Sequence, residues 1–214
     1  MRALLTLLLL ASAAPLAHAG NNELTMGSYV RALRSSSANA VTTESLTGGS
    51  LQVGRALHLG LMPDLEIWAT AGLDWGGTEG TMFQTMTTEV DTLGLTVGGR
   101  ARYALHANLA VSGRLDLGTA RNELTLTGNG HMVSDSAWGG TLKAAAGLDL
   151  LAIAHPRFSL GLRVELGHVA ATATALSPRE AGDSTKIELD AMQASIGHLD
   201  LGGTYLSFSV MSQF

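Results

Sequence analysis

Residues 93–105 read LGLTVGGRARYAL, and this stretch decides the fold. Its odd-numbered positions are mostly apolar, as at Leu95, Val97 and Tyr103, whereas its even-numbered positions include Arg100 and Arg102. A period of two residues is that of a β-strand, because successive side chains of a strand point to opposite faces. The stretch is therefore predicted to be a strand with one apolar face and one polar face.

Seven other stretches repeat this alternation, and short and long connections alternate between them. With residues 93–105, the predicted strands are 23–34, 49–61, 65–76, 109–118, 138–150, 158–167 and 205–214. The short turns lie near residues 63, 107 and 155, and the long connections are 35–48, 77–91, 121–137 and 173–200. Short turns at one end and long loops at the other are typical of outer-membrane barrels. The sequence predicts an all-β fold, an eight-stranded antiparallel up-and-down barrel.

The composition excludes several other classes of protein. Of the 214 residues, 46% are hydrophobic and only 14% are charged, whereas a disordered chain is polar and rich in charge. The net charge of -5 disfavours a nucleic-acid partner. The absence of cysteine excludes a disulfide scaffold and a thiolate metal site.

The N-terminus predicts export. Arg2 precedes an apolar run from Leu4 to Leu10, and Ala17-His18-Ala19 matches the small-x-small pattern of signal-peptide cleavage sites. We expect residues 1–19 to be a cleaved signal peptide and residues 20–214 to be the barrel domain. No later segment has the 18 consecutive apolar residues of a membrane-spanning helix.

The composition of the polar face indicates which face of the barrel meets lipid. This face is rich in Gly, Ala, Ser and Thr, whereas a soluble exterior more often carries Lys and Glu. The aromatic residues lie at strand ends, which is where membrane barrels place their interfacial girdles. The predicted girdles are Trp75 and Trp138 at the long-loop end, and Tyr103, Phe158 and Phe214 at the short-turn end. A soluble, lipocalin-like binding barrel, with its apolar face inward, is the alternative.

The last strand carries a terminal pattern of its own. Leu206, Phe208, Val210 and the C-terminal Phe214 occupy alternate positions, which resembles the terminal signature of bacterial outer-membrane proteins, although Ser212 stands where an aromatic is common. With the signal peptide and the eight strands, nearly the whole mature chain resembles the small OmpA/OmpX-type outer-membrane β-barrels of Gram-negative bacteria. The resemblance implies a monomer in contact with the lipid bilayer and lipopolysaccharide, whose last strand is read by the barrel-assembly machinery.

The polar face also carries charges, which would meet inside a narrow barrel. Six cations, five anions and one histidine share it: Arg31, Arg100, Arg102, Arg114, Lys143, Arg163, Glu66, Asp74, Asp116, Asp149, Glu165 and His58. Charges held in a low-dielectric wall need partners. The sequence therefore predicts either a salt-bridged plug or a narrow, charge-lined ion pore.

Three local features do not fit the simple alternation. Arg55 has the parity of the apolar face, so it either snorkels to the outer interface or is turned inward by a bulge. After Leu117 the apolar residues move to even positions, at Leu124 and Leu126, which predicts a bulge followed by an extension beyond the membrane. Within 173–200, the spacing of Leu189 and its apolar neighbours fits a helix as well as a strand.

The sequence contains no motif for nucleotide binding, acyl transfer or metalloproteolysis. No catalytic, cofactor-binding or metal-binding residue is predicted. The predicted function is that of a non-enzymatic outer-membrane barrel with a structural or surface-interaction role and a charge-plugged lumen. The alternatives are a porin-like narrow channel and the soluble binding barrel.

Overall fold

Eight long strands form a single antiparallel sheet that closes on itself. The structure, a computed structural model, describes residues 21–62, 64–82, 86–128, 131–155, 158–176, 179–180 and 198–214. Each strand pairs with the next, and the last pairs with the first, which confirms the predicted eight-stranded barrel. The strands are β1 (Asn22–Leu33), β2 (Leu46–Met62), β3 (Leu65–Met82), β4 (Met86–His106), β5 (Leu109–Gly128), β6 (His131–His155), β7 (Phe158–Ala171) and β8 (Gly203–Gln213). The predicted signal peptide lies outside the described residues.

The stagger of the strands fixes the dimensions of the barrel. The row of paired residues that starts at Asn22 of β1 passes through all the other strands and returns to β1 at Ala32, ten residues further on. Eight strands spaced ~4.7 Å apart with this stagger tilt by about 40° and enclose a cylinder of roughly 8 Å radius. Such a lumen is only wide enough to be filled by side chains.

The outer wall of the barrel is an apolar belt. Apolar side chains on alternate positions of every strand point away from the lumen, and Val97 of β4 and Leu117 of β5 are 65% and 62% exposed. Ten residues separate Leu65 from Trp75 on β3, which at this tilt is a height of about 25 Å. The apolar face therefore points outward, as in a transmembrane barrel, and the soluble binding barrel with an apolar interior is wrong for this chain.

Four strands continue well past the belt, which corrects two of the predicted long loops. Residues 77–91 and 121–137, predicted to be connections, belong mainly to β3, β4, β5 and β6. The pairing of β5 with β6 is continuous from Leu109 to Gly128, so the predicted bulge is absent. The backbone geometry of β5 is continuous, but its outward face is apolar in the belt and its inward face is apolar above the belt. Leu117 is exposed on the outer wall, whereas Leu124 and Leu126 are buried inside, because water replaces lipid around the upper barrel.

The exchanged faces enclose a second, apolar core above the charged lumen, which we call the dome. Its buried side chains come from all four extended strands and from the segments that fold over the top: Val41, Met82, Val90, Leu124, Leu126, Val133, Leu176, Leu199 and Leu201. The dome closes the long-loop end of the barrel with hydrocarbon side chains that exclude water.

A short helix and paired segments form the roof of the dome. Helix α1 spans Ser36–Val41, and Ser35 caps its N-terminus by accepting a hydrogen bond from the Ala38 amide at its hydroxyl. After the helix, the Thr42 hydroxyl donates to the Glu79 carbonyl. Thr174–Ala175 pairs with His198–Leu199, and Arg179–Glu180 pairs with β6. Most of the region predicted as 173–200 lies outside the described residues. No helix in the described ranges is long and apolar enough to cross a membrane.

Arg55 points outward, and no bulge turns it into the lumen. It pairs with Asn22 of β1 and Ala69 of β3 and is exposed. This register places it at the short-turn end of the barrel, so the predicted position at the outer interface is wrong.

We expect a charge in the centre of the belt to destabilise the barrel. Val97→Arg places a guanidinium on the lipid-facing wall and should lower the free energy of unfolding by about 2–4 kcal/mol. Thr87→Arg, on the same strand and the same face but above the belt, should change it by less than about 1 kcal/mol. Urea titration in vesicles, followed by the mobility of the unboiled protein on a gel, measures both. Equal losses in the two variants would mean that lipid does not contact this wall.

Candidate functional site

The lumen brings together the charged residues that the sequence analysis placed on the polar face. Eleven of the twelve have described side chains, and all eleven occupy inward positions: Arg31, Glu66, Asp74, Arg100, Arg102, Arg114, Asp116, Lys143, Asp149, Arg163 and Glu165. The side chain of His58 lies outside the described residues. The eleven fall into two groups along the barrel axis, which we call the lower cluster, at the short-turn end, and the upper cluster, below the dome.

Glu23 is the centre of the lower cluster, and the sequence analysis missed it. Both of its oxygens accept hydrogen bonds from Arg100, at 2.5 and 2.7 Å, and from Arg163, at 2.8 and 3.2 Å. The Thr25 hydroxyl and the Gln213 amide donate to the same carboxylate at 2.9 and 3.1 Å. Glu23 has the parity of Thr25 and Arg31, so the alternation of β1 was sufficient to find it.

The lower cluster continues from Arg163 to the mouth of the barrel. Arg163 makes a bidentate pair with Asp149, at 2.7 and 2.9 Å. The same carboxylate lies 3.3 Å from Arg102 Nε, and Arg102 also donates to Glu66 at 3.0 Å. Glu66 is half exposed, whereas Arg163 and Asp149 are almost fully buried. The ion pairs therefore run without a break from the buried centre of the lumen to the aqueous mouth.

Trp68 is the largest apolar side chain in this charged region. It is 1% exposed, its indole N–H donates to Glu66 at 3.2 Å, and the Arg100 guanidinium lies 5.2 Å from its ring centroid. This geometry is that of a cation–π contact in a desolvated site.

Arg114 is the centre of the upper cluster. Its guanidinium lies 3.1 Å from Asp116 and 3.2 Å from Glu165, and it donates to the Tyr205 hydroxyl at 3.0 Å. The Thr70 hydroxyl donates to Asp116 at 3.0 Å. Lys143 pairs with Asp74 beside this group. Arginine suits the central position because its planar fork presents five donors to several carboxylates at once.

Arg31, the highest charge of the lumen, is held differently. It donates to the Leu201 carbonyl at 3.3 Å, and its guanidinium lies 5.3 Å from the centroid of the Tyr29 ring. No carboxylate among the described residues lies within 4.0 Å of its nitrogens. Leu201 belongs to the dome, so Arg31 joins the charged lumen to the apolar roof.

The charges of the lumen balance once Glu23 is included. The lower cluster holds Arg100, Arg102 and Arg163 against Glu23, Glu66 and Asp149. The upper cluster holds Arg31, Arg114 and Lys143 against Asp74, Asp116 and Glu165. Each cluster is therefore formally neutral, which reduces the cost of burying so many ions.

Little space remains between these side chains. Two cavities lined by the upper cluster have volumes of about 20 Å³ each, which is room for about one water molecule apiece. The oxygen of the buried Gln52 side chain, which lines one of them, has no hydrogen-bond partner within the described part of the chain. Hydrated ions and solutes are much larger than either cavity.

The predicted interfacial aromatics all lie on the outer wall. Trp75 and Trp138 belong to one row of paired residues at the long-loop end, with Leu93 and Arg121 between them. Tyr103, Phe158 and Phe214 are exposed at the short-turn end. Anchoring of the barrel by these rings stays a prediction.

The proposed assembly signal also faces lipid, and it lies beside the seam of the barrel. Leu206, Phe208, Val210 and Phe214 are exposed on the outer face of the last strand. Phe214 exchanges two backbone hydrogen bonds with Asn22, at 3.0 and 2.9 Å, which closes the ring between the two ends of the chain.

No protein-family model matches the chain, and no curated protein is similar to it in sequence. Among solved structures, the chain is similar to several bacterial outer-membrane barrels over most of its length. Ail, the attachment invasion locus protein of Yersinia pestis, has 11% identity and a TM-score of 0.46, over 91% of this chain and 97% of that chain. The beta domain of the Bordetella autotransporter BrkA has 12% identity and a TM-score of 0.46, over 92% and 99%. The translocator domain of the autotransporter NalP from Neisseria meningitidis has 11% identity and a TM-score of 0.46, over 100% and 95%. At these identities the similarity concerns the fold alone.

We expect Glu23→Gln to destabilise the barrel strongly. The substitution removes the charge shared by Arg100 and Arg163, and breaking a buried pair in this way costs about 3–5 kcal/mol. Glu123→Gln is the matched control, because its pair with Arg121, at 3.5 Å, is on the outer surface. Its expected cost is below about 1 kcal/mol. Denaturant unfolding in vesicles measures both variants, and a similar, small loss in both would contradict a central role for Glu23.

Proposed function

We propose that this protein is a non-enzymatic outer-membrane barrel whose lumen is closed by its own charges and whose role is structural or surface-interacting. The observation that carries the proposal is the neutral, ion-paired filling of the lumen. Six cations and six carboxylates face one another there, and two cavities within the upper cluster hold about one water molecule each.

The competing function is a narrow ion channel. A conducting pore needs mobile water and sites that bind ions weakly enough to release them. Apart from Arg31, the charges of this lumen are instead paired with each other, as at hydrogen-bond distance between Arg163 and Asp149. The apolar dome lies across the long-loop end of the same path. Both features favour closure over conduction.

The proposal that the barrel is not an enzyme rests on the same geometry. The polar side chains of the lumen are engaged with one another and are separated from solvent at the upper end by the dome. In the described ranges, no group of three or more His, Cys, Asp and Glu side chains is arranged to hold a metal ion. A surface role uses what the barrel does expose, namely its belt and the outer wall of the dome.

The proposed partners follow from these exposed surfaces. The belt contacts the lipid bilayer, and lipopolysaccharide is the proposed neighbour at the long-loop end. The barrel-assembly machinery is proposed to bind the last strand through Phe214. We propose a monomer, since the ring of strands closes within one chain and leaves no unpaired strand in the wall.

We expect the folded protein to be electrically silent in planar bilayers. Paired charges and the dome block the passage of hydrated ions, so no current steps should be seen in concentrated potassium chloride. A faster-migrating band in the unboiled sample of the same vesicles shows that the barrel has inserted. Reproducible single-channel steps from inserted protein would overturn the plug and establish the channel instead.

We expect Phe214→Ala to slow assembly by the purified barrel-assembly machinery several-fold. Phe158→Ala is the matched control, because both rings are 41% exposed at the same end of the barrel, but only Phe214 directly follows the last strand. Spontaneous folding into short-chain lipid vesicles should differ little between the two, because each loses one interfacial ring. Equal rates of assisted assembly would show that Phe214 acts as an ordinary interfacial aromatic.

A further inference from the structure

A groove interrupts the outer wall of the barrel where the belt meets the dome. It has a volume of about 490 Å³ and lies across β2, β3, β4 and β5. Glycines 76 and 77 form part of its floor, Trp75 and Arg121 border it towards the belt, and Asp91 and Glu123 line its upper part. A barrel wall is convex, so a cavity of this size on its outside calls for an explanation.

The groove exists because one outward position has no side chain. Gly77 is paired with Thr47 on one side and with Asp91 on the other. A Cβ atom at Gly77 would lie 2.8 Å from the Asp91 carboxylate. The missing side chain therefore leaves room between β2 and β4 and keeps the Asp91 carboxylate directed along the groove.

Two adjacent rows of outward-facing residues determine which side chains line the groove at each height. The lower row runs Trp75, Leu93, Arg121 and the upper row runs Gly77, Asp91, Glu123. Two residues separate the rows on each strand, which at the tilt of this barrel is a height of about 5 Å. Going from lipid to water, the wall therefore presents apolar side chains, then a guanidinium beside an aromatic ring, then two carboxylates.

Arg121 retains the capacity to bind a ligand. Its Nε and Nη2 donate to the Ser136 hydroxyl at 3.3 and 3.0 Å, and Nη1 makes no hydrogen bond within the described part of the chain. Its pair with Glu123, at 3.5 Å, joins two side chains that are 48% and 44% exposed. Surface pairs of this kind are weak, so a stronger anion can compete for the guanidinium.

The two carboxylates above Arg121 share one weak ion pair, the exposed one between Glu123 and Arg121. Asp91 and Glu123 are directly opposite each other on paired strands, and like charges in that position repel. A cation between them would remove the repulsion. The groove thus combines one site for an anion at the edge of the belt with one site for a cation about 5 Å further out.

We propose that this groove binds the phosphoethanolamine group of a membrane lipid. Its phosphate lies against Arg121, and its ammonium donates hydrogen bonds to Asp91 and Glu123. The two methylene groups of ethanolamine span the distance between the two rows. The acyl chains continue past Trp75 and Leu93 onto the belt. The inference is independent of whether the lumen conducts.

Native mass spectrometry of the full-length protein in maltoside micelles tests this proposal. The probes are phosphatidylethanolamine, phosphatidylglycerol and phosphatidylcholine with identical acyl chains. The folded protein should retain the ethanolamine lipid in preference to the other two, because only that headgroup offers both a phosphate and a hydrogen-bonding ammonium. Free phosphoethanolamine should not be retained, since it lacks the chains that contact the belt.

The variants separate the two halves of the headgroup. Arg121→Gln should lower retention of phosphatidylethanolamine about tenfold, as expected for the loss of a charge-assisted contact. Asp91→Asn with Glu123→Gln should shift the preference towards phosphatidylglycerol, because the ammonium site and the repulsion of anions disappear together. Arg55→Gln, which removes the same charge from the opposite end of the outer wall, should leave retention unchanged.

Several results would overturn the proposal. Equal retention of the three lipids by the unmodified protein would show that the groove does not select a headgroup. Retention unchanged by Arg121→Gln, or a preference unchanged by the double carboxylate variant, would show that these side chains do not bind one. Mobility of the unboiled variants on a gel confirms that each has folded before it is scored.

Discussion

The closed ring of backbone hydrogen bonds is the constraint on which the rest of this molecule depends. In hydrocarbon, an N–H or C=O group without a partner costs several kcal/mol, so a sheet in a membrane needs to have no edge. The pairing of β1 with β8, from Glu23 to Leu33, removes that edge. Closure with a stagger of ten residues then sets the tilt and the radius, and the radius brings inward side chains from opposite walls within reach of each other.

The charged lumen follows from that narrow radius. Inward positions cannot be filled by water in bulk, so long polar side chains cross the interior and meet carboxylates from distant strands. Glu23 of β1 thus binds Arg100 of β4 and Arg163 of β7. The balance of six cations and six carboxylates, three of each in either cluster, is what allows so many ions to remain in a wall of low dielectric. Above the belt the inward positions carry Leu124, Leu126 and Val133. The outer wall there is in water, so the hydrophobic effect favours apolar side chains in the interior.

Much of this fold was predictable from alternation alone, because a period of two fixes which face each residue occupies. The outward placement of Val97 and Leu117 and the inward placement of Arg100 and Arg163 followed from it. Alternation does not give the register between strands, and so it could not predict that Arg102 bridges Asp149 and Glu66, or that Arg55 lies at the short-turn end. An extension beyond the membrane was predicted from Leu124 and Leu126, but with a bulge before it and without the matching extension of β3 and β4. The expected pattern had apolar residues outward throughout, whereas Val90 and Leu124 are inward because the surroundings of the barrel change along its length. The inward position of Glu23 was also predictable, because Glu23 has the parity of Thr25 and Arg31 at the start of β1.

The two outward-facing arginines at opposite ends of the belt determine how deeply the barrel sits. Between the levels of Tyr103 and Trp75, the described outer wall carries no Asp, Glu or Lys, and Arg55 near its lower limit is its one arginine. A shift of two residues towards the short-turn side would draw Arg121 into the acyl chains, with Asp91 and Glu123 close behind, and the opposite shift would draw in Arg55. Each displacement is only about 5 Å, and the cost of each charge that it draws in rises from about 1 kcal/mol or less at the interface towards about 2–4 kcal/mol at the midplane. The barrel therefore has a single preferred height along the membrane normal, and a bilayer of different thickness has to adapt to the protein.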